Sequence, residues 1–203
     1  STKSFTSQSI LLVLISIWFS QTYYPHENIK KREKIIQDLY NLQYDIKKTL
    51  NVREHIKKLV PLFNKNSCFI LGKQKGEPIA KEGALKIKEV SYIHAEGYST
   101  SSLKHGPFAL IEEDFPVILL NPNDEFIAKT QNAYEEIKSR HARIIKIVNN
   151  GEQGENIINI PYNHTFSHLL MIIPLQLLSY ELSIFRKINP DMPRNLAKVV
   201  TVE

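Results

Sequence analysis

SCFILGKQKGEPIAKEGALKIKEVSYIHAE, residues 67–96, passes from one backbone period to another within a single short stretch. Ser67-Cys68-Phe69-Ile70-Leu71 is an apolar run with strand character. Gly72 to Pro78 then carries the turn residues, and a helix is predicted over 79–94. Strand, turn and helix in that order form half of a parallel crossover unit.

Working outward, the same alternation continues downstream. Strands are predicted at 116–120, 143–148 and 156–160, with helices at 125–141 and 166–186 between and after them. Strands separated by helices of this length pair in parallel through right-handed crossovers. The expected fold is therefore α/β, a three-layer αβα sandwich on a mainly parallel sheet. In such sheets ligands lie beyond the carboxyl ends of the strands, which puts loops 72–78 and 121–124 near any active site.

Upstream the pattern is purely helical. Thr6 and Ser7 read as a cap for a helix reaching about Gln21. Over 27–50, Ile35, Ile36, Leu39, Leu42 and Ile46 recur at helical spacing, with a lysine-rich opposite face. A further helix starts at Asn51 and breaks at 64–66. The apolar run 10–19 imitates a secretion signal, yet it is too short to span a bilayer and is read as a buried helix. The apolar stretch 169–185 contains Pro174, Gln176 and Glu181, which suits a core helix with one wet edge. The tail 188–203 has two prolines and no helical period, so it either frays or docks over something.

Composition narrows the class. The chain has 203 residues, 42% of them hydrophobic and 23% charged, which excludes a disordered or fibrous protein and suits one domain with a helical attachment. A net charge of +5 suits an anionic metabolite or nucleic acid. The basic cluster at 30–34 lies on a helix and lacks aromatic platforms, so a solvated face is favoured over a nucleic-acid patch. Cys68 is the only cysteine, so there is no internal disulfide and no cysteine-based metal site. A buried structural thiol in a reducing, cytoplasmic setting is expected.

Three stretches carry chemistry. In KEGALKIKE, residues 81–89, helical rotation puts Glu82, Lys86, Glu89 and Ile93 on one face. An exposed salt-bridge ladder, worth about 0.3–0.5 kcal/mol per pair, is the ordinary explanation. Gly83 weakens it, because a mid-helix glycine is best explained by close approach of a backbone or ligand. LKHGP, residues 103–107, presents His105 in a turn, and PRNLAKVVTVE, residues 193–203, ends the chain. His164 and His168 are spaced like a helical metal pair, but no third ligand accompanies them, so the non-metal reading is preferred.

Together EGALK.KE..YIHAE, LKHGP and PRNLAK.VTVE, with STKSFT at the start, resemble the second sugar-isomerase (SIS) subdomain and terminal tail of the glutamine:fructose-6-phosphate aminotransferase family. The resemblance covers essentially the whole chain. It implies a flavodoxin-like SIS fold, with 1–64 as the end of a first subdomain and connecting helices, 65–187 as the second subdomain, and 188–203 as a lid. It further implies conversion of fructose 6-phosphate to glucosamine 6-phosphate. Glu89 would be the carbon base, Lys198 the Schiff-base lysine, His105 the ring-opening imidazole acting in the neighbouring subunit of a homodimer, and Lys86 the partner holding Glu89 ionised. Ser1 and Ala197 match substrate-contacting positions. No metal or organic cofactor, nucleic acid or membrane is implied. The glutaminase domain and the first subdomain's phosphate loop would lie elsewhere in a longer parent, and the carboxyl end matches that of the family. Departures fall at Lys73 and Gln74, where the family has Arg-Gly, at Glu77, where it has Tyr, and at Ser101-Ser102, where it has Gly-Glu. Competing expectations are a non-catalytic module sensing a sugar phosphate and a scaffold that only dimerises.

Overall fold

The structure is a computed structural model that describes residues 2–196. Three helices come first: α1 (Thr2–Tyr23), α2 (Ile29–Leu50) and α3 (Arg53–Leu59). The α/β unit follows as β1 (Ser67–Gly72), α4 (Gly76–Ser91), β2 (His94–Ser99), β3 (Pro116–Asn121), α5 (Ile127–Lys138), β4 (Arg143–Val148), β5 (Ile157–Asn159) and α6 (Ser167–Phe185). All pairings are parallel and the strand order is β2-β1-β3-β4-β5. The chain leaves β1 for the β2 edge, then crosses back over β1 to β3. Strand order therefore reverses between β1 and β3.

Alternation along the strands builds the two cores. Ile70, Ile118, Leu120, Ile145 and Ile147 face a layer that includes α3, α4 and α6. Phe69, Leu71, Val117, Leu119 and Ile144 face the opposite layer, with Ile137 of α5 and the buried Leu103. This is the expected three-layer arrangement. α4 and α6 pack so closely that a Cβ on Gly83 would come within 2.4 Å of Leu175 Cδ1. The glycine thus answers to a neighbouring helix's side chain, and not to a backbone or ligand.

A buried polar network ties α2 to the start of α6. Asn163 Nδ2 donates to Asp45 Oδ2 at 2.8 Å and to the Asp38 carbonyl at 3.0 Å, while its Oδ1 accepts from the Phe166 amide at 2.9 Å. Thr165 Oγ1 donates to Asp38 Oδ2 at 2.6 Å. Both aspartates are nearly inaccessible. At the other end of α2, the Arg32 guanidinium donates to the Pro25 and Glu27 carbonyls at 2.7 Å, holding the turn from α1.

Three expectations are corrected. The helix over 79–94 stops at Ser91, where Tyr92 takes a left-handed φ of 59°. Ile93 therefore does not share a helical face with Glu82, Lys86 and Glu89. His94–Ser99 is instead an edge strand paired with β1, and its sequence lacks an apolar run because only Ala95 of its six residues is buried. Next, α1 has no buried residue: Leu12 is 64% and Trp18 55% exposed, and only Phe5, Ile10 and Val13 pack partly against the core. Finally, α1 begins at Thr2, ahead of the cap expected at Thr6 and Ser7, and runs to Tyr23. Among the described residues α1 and α6 are both long and apolar enough, by length and composition, to cross a membrane, although α6 is largely a buried core helix.

Candidate active site

α4 follows a strand of the parallel sheet and runs back antiparallel to it. Its first turn stands at the carboxyl edge of the sheet and its last at the amino edge. Lys86 and Glu89 lie in its second half, three residues apart and so on neighbouring positions of one face. Lys86 Nζ lies 2.5 Å from Glu89 Oε2 and 3.7 Å from Glu82 Oε1. The lysine side chain is only 7% exposed and that of Glu89 27%, so the ammonium is sunk in protein while the carboxylate looks outward. Burial pushes the Lys86 pKa down, but its hydrogen bond and charge pairing with Glu89, aided by Glu82, outweigh this and leave it raised. Glu89 therefore sits beside a positive charge that burial alone would have suppressed.

It opens into a cleft of ≈ 570 Å³ walled by α4 and by Gln176, Ser179 and Tyr180 of α6. The tail closes the third side. Arg194 donates its amide to the Tyr92 hydroxyl at 2.7 Å, and its guanidinium lies 4.2 Å from the centre of the Tyr92 ring. The left-handed residue that ends α4 is thus the tail's anchor. Gln176 was not singled out for function from the sequence. Its Nε2 is shut off from solvent without a hydrogen-bond partner among the described residues, a costly state for a donor. The available signal was an amide inside an otherwise apolar stretch.

The expected site residues divide into three groups. Lys86 and Glu89 meet in the cleft. Ser1, Ala197 and Lys198 lie outside the described residues, but their sequence neighbours Thr2 and Leu196 line it. His105 is exposed on the 3-10 turn Leu103–His105 after β2 and does not line the cleft. Loops 72–78 and 121–124, expected beside the active site, instead border a different cavity at the carboxyl edge of the sheet, together with His168. His164 precedes α6 and so does not share a helix with His168; among the described residues there is no group of three or more metal-ligating side chains.

The arrangement is one that can take a proton from carbon: an accessible carboxyl group stands next to an ammonium able to polarise a substrate oxygen. A family model described as SIS domain matches residues 61–186. A protein of Acanthamoeba polyphaga mimivirus, named as a probable glutamine–fructose-6-phosphate aminotransferase (isomerizing), is 45% identical across 100% of this chain and 34% of its own length. The glutamine–fructose-6-phosphate aminotransferase (isomerizing) of Chlorobaculum tepidum is 41% identical, again over 100% of this chain and 34% of that protein. A solved C-terminal domain of glucosamine-fructose-6-phosphate aminotransferase from Francisella tularensis superposes with a TM-score of 0.88 at 32% identity, covering 95% of this chain and 56% of that one. The chain spans about a third of the length of the curated relatives it matches.

Proposed function

The chain belongs to the SIS domain family, and from that premise we propose that it supplies the second sugar-isomerase subdomain and terminal lid of a glutamine:fructose-6-phosphate aminotransferase. In this reading 1–64 closes a preceding subdomain, 65–187 is the second subdomain and 188–203 is the lid. The substrate is fructose 6-phosphate. His105 opens the ring, Lys198 condenses with the C2 ketone, and ammonia from a glutaminase domain elsewhere in the parent replaces the lysine. Glu89 then moves a proton from C1 to C2, leaving the 2-amino aldose. Lys86 keeps Glu89 ionised, and Ser1 and Ala197 contact the sugar. Every group used is a side chain or the substrate itself, so the reading calls for no metal or organic cofactor.

The observation that carries this reading is the Lys86–Glu89 pair in a cleft whose third wall is the tail leading to Lys198. An exposed His105 outside its own cleft supports action across a homodimer interface. The bare apolar face of α1 supports a missing neighbour, the place a preceding subdomain would take. The setting is cytoplasmic, as the single buried thiol favours.

Reductive trapping tests the assignment. The full-length protein treated with fructose 6-phosphate and borohydride should gain one hexose phosphate adduct, absent in Lys198→Ala. A protein that forms no adduct, or the same adduct in the variant, would return the chain to the sensor or scaffold class. Limited proteolysis tests the lid: cleavage near Lys198 should slow when fructose 6-phosphate is bound.

A further inference from the structure

One side chain holds the tail beyond α6. None of residues 189–196 is buried. The hydrogen bonds of 189–193 close within that segment, from the Asp191 amide to Asn189 Oδ1 at 3.0 Å and from the Met192 amide to the Asn189 carbonyl at 3.3 Å. Among the described residues, a single hydrogen bond ties 189–196 to another element, the one from the Arg194 amide to the Tyr92 hydroxyl. The Arg194 guanidinium over the Tyr92 ring adds a second contact with the same residue. A segment with so little burial keeps the position those contacts give it and no other.

Tyr92 makes both contacts from an unfavourable backbone. It ends α4 at φ 59° and ψ 21°, the left-handed position that glycine or asparagine commonly fills at a helix end and that is strained for a bulky side chain. Local preference alone therefore calls for a different residue here, and strain of this kind persists where the side chain has a use. The surrounding arrangement supplies one. Glu89 lies three residues before Tyr92 on α4, and Lys198 lies four residues after Arg194 in sequence. Tyr92 thus joins the helix that carries the carboxylate to the segment that leads to the amine. Pro193 and Leu196, on either side of Arg194 and Asn195, line the cleft into which Glu89 opens. Asn195 also takes a left-handed φ, 58°, so the chain turns immediately after the residue that is held.

We propose that Tyr92 is a positioning residue for the reaction: it fixes Arg194, and through Arg194 it sets where Lys198 meets the ketone beside Glu89, without touching the sugar itself. The inference rests on the function proposed above and adds to it a residue from outside the cleft lining. The strained end of α4 then has a purpose that helix termination alone does not give it.

Tyr92→Asn in the full-length protein provides the test, because asparagine suits the left-handed backbone and so preserves the helix end, yet lacks both the ring and the hydroxyl. The Tm should stay level or rise. Trypsin should release the peptide beginning at Asn195 about ten-fold faster, and the borohydride-trapped Lys198 adduct with fructose 6-phosphate should form about ten-fold more slowly. Tyr92→Phe keeps the ring and loses only the hydroxyl, and should fall between wild type and Tyr92→Asn in both rates. A residue that merely ended the helix would behave in the opposite way, with the Tm moved and both rates unchanged. Wild-type rates of peptide release or of adduct formation in Tyr92→Asn, or a lowered Tm in that variant, would each overturn the inference alone. A wild-type protein that forms no adduct would remove the function proposed above and this inference with it.

Discussion

Lys86 is nearly enclosed, and a buried ammonium is tolerated only with a close counter-charge, here Glu89 at 2.5 Å. Two substitutions separate the roles of the pair in the full-length protein. Under the proposed function, Glu89→Gln removes the proton acceptor and should lower kcat by roughly 10²–10⁴-fold with a smaller change in KM. Lys86→Met removes the cation proposed to polarise the substrate oxygen and should also lower kcat while Glu89 stays in place. The raised Lys86 pKa also has a stability consequence. The pair's contribution is complete below the ordinary lysine range and is lost as pH rises through the folded value. At Cys68 burial pushes the thiol up to about 12. The thiol is held neutral in the fold, so stability falls as pH climbs from the ordinary thiol range toward that value. An aromatic disulfide reagent at pH 8 should therefore find Cys68 unreactive until denaturant unfolds the chain.

Among the elements, the α4–α6 contact and the α2–α6 network bear the most weight. Gly83→Ala pushes a methyl group into Leu175 and should cost about 1–3 kcal/mol in urea unfolding. Leu175→Ala should recover part of that loss in the double variant, a positive coupling that a pure helix-propensity effect would not give. Asn163→Leu leaves Asp45 and the Phe166 amide without their partner and should cost about 1–3 kcal/mol or more, read by the same unfolding experiment. Most elements were legible from periodicity, because buried strands and helices must hide apolar side chains at their own repeat. β4 was predicted to the residue. β2 was not legible, since HAEGYS sits at the sheet edge and its Gly97 is shaped by closeness to the α4 backbone, 2.5 Å from a would-be Cβ to the Lys81 nitrogen. Its identity comes from pairing with β1, which no local pattern records.

For the molecule as a whole, α1 is the element out of balance. Leu11, Leu12, Leu14, Ile15, Trp18 and Phe19 are all at least 41% exposed, far more contiguous apolar surface than a lone soluble domain keeps bare. The isolated chain should self-associate in analytical ultracentrifugation, and Leu12→Glu with Phe19→Lys should return it to monomer. In a longer polypeptide carrying the preceding subdomain proposed above, the same pair should lower Tm instead. A monomeric isolated chain would show that α1 needs no cover. The residues forming the α/β alternation, the parallel sheet and the Lys86–Glu89 adjacency could all be read off the chain. Each depends on backbone preference and side-chain period among near neighbours. The placement of that pair at the amino edge, away from the loops of the strand-order reversal, could not be so read. Neither could the docking of Arg194 on Tyr92, or the bareness of α1. These follow from how segments far apart in sequence pack against one another, and packing of that kind depends on the joint shape and burial of many side chains with no signature in any one stretch.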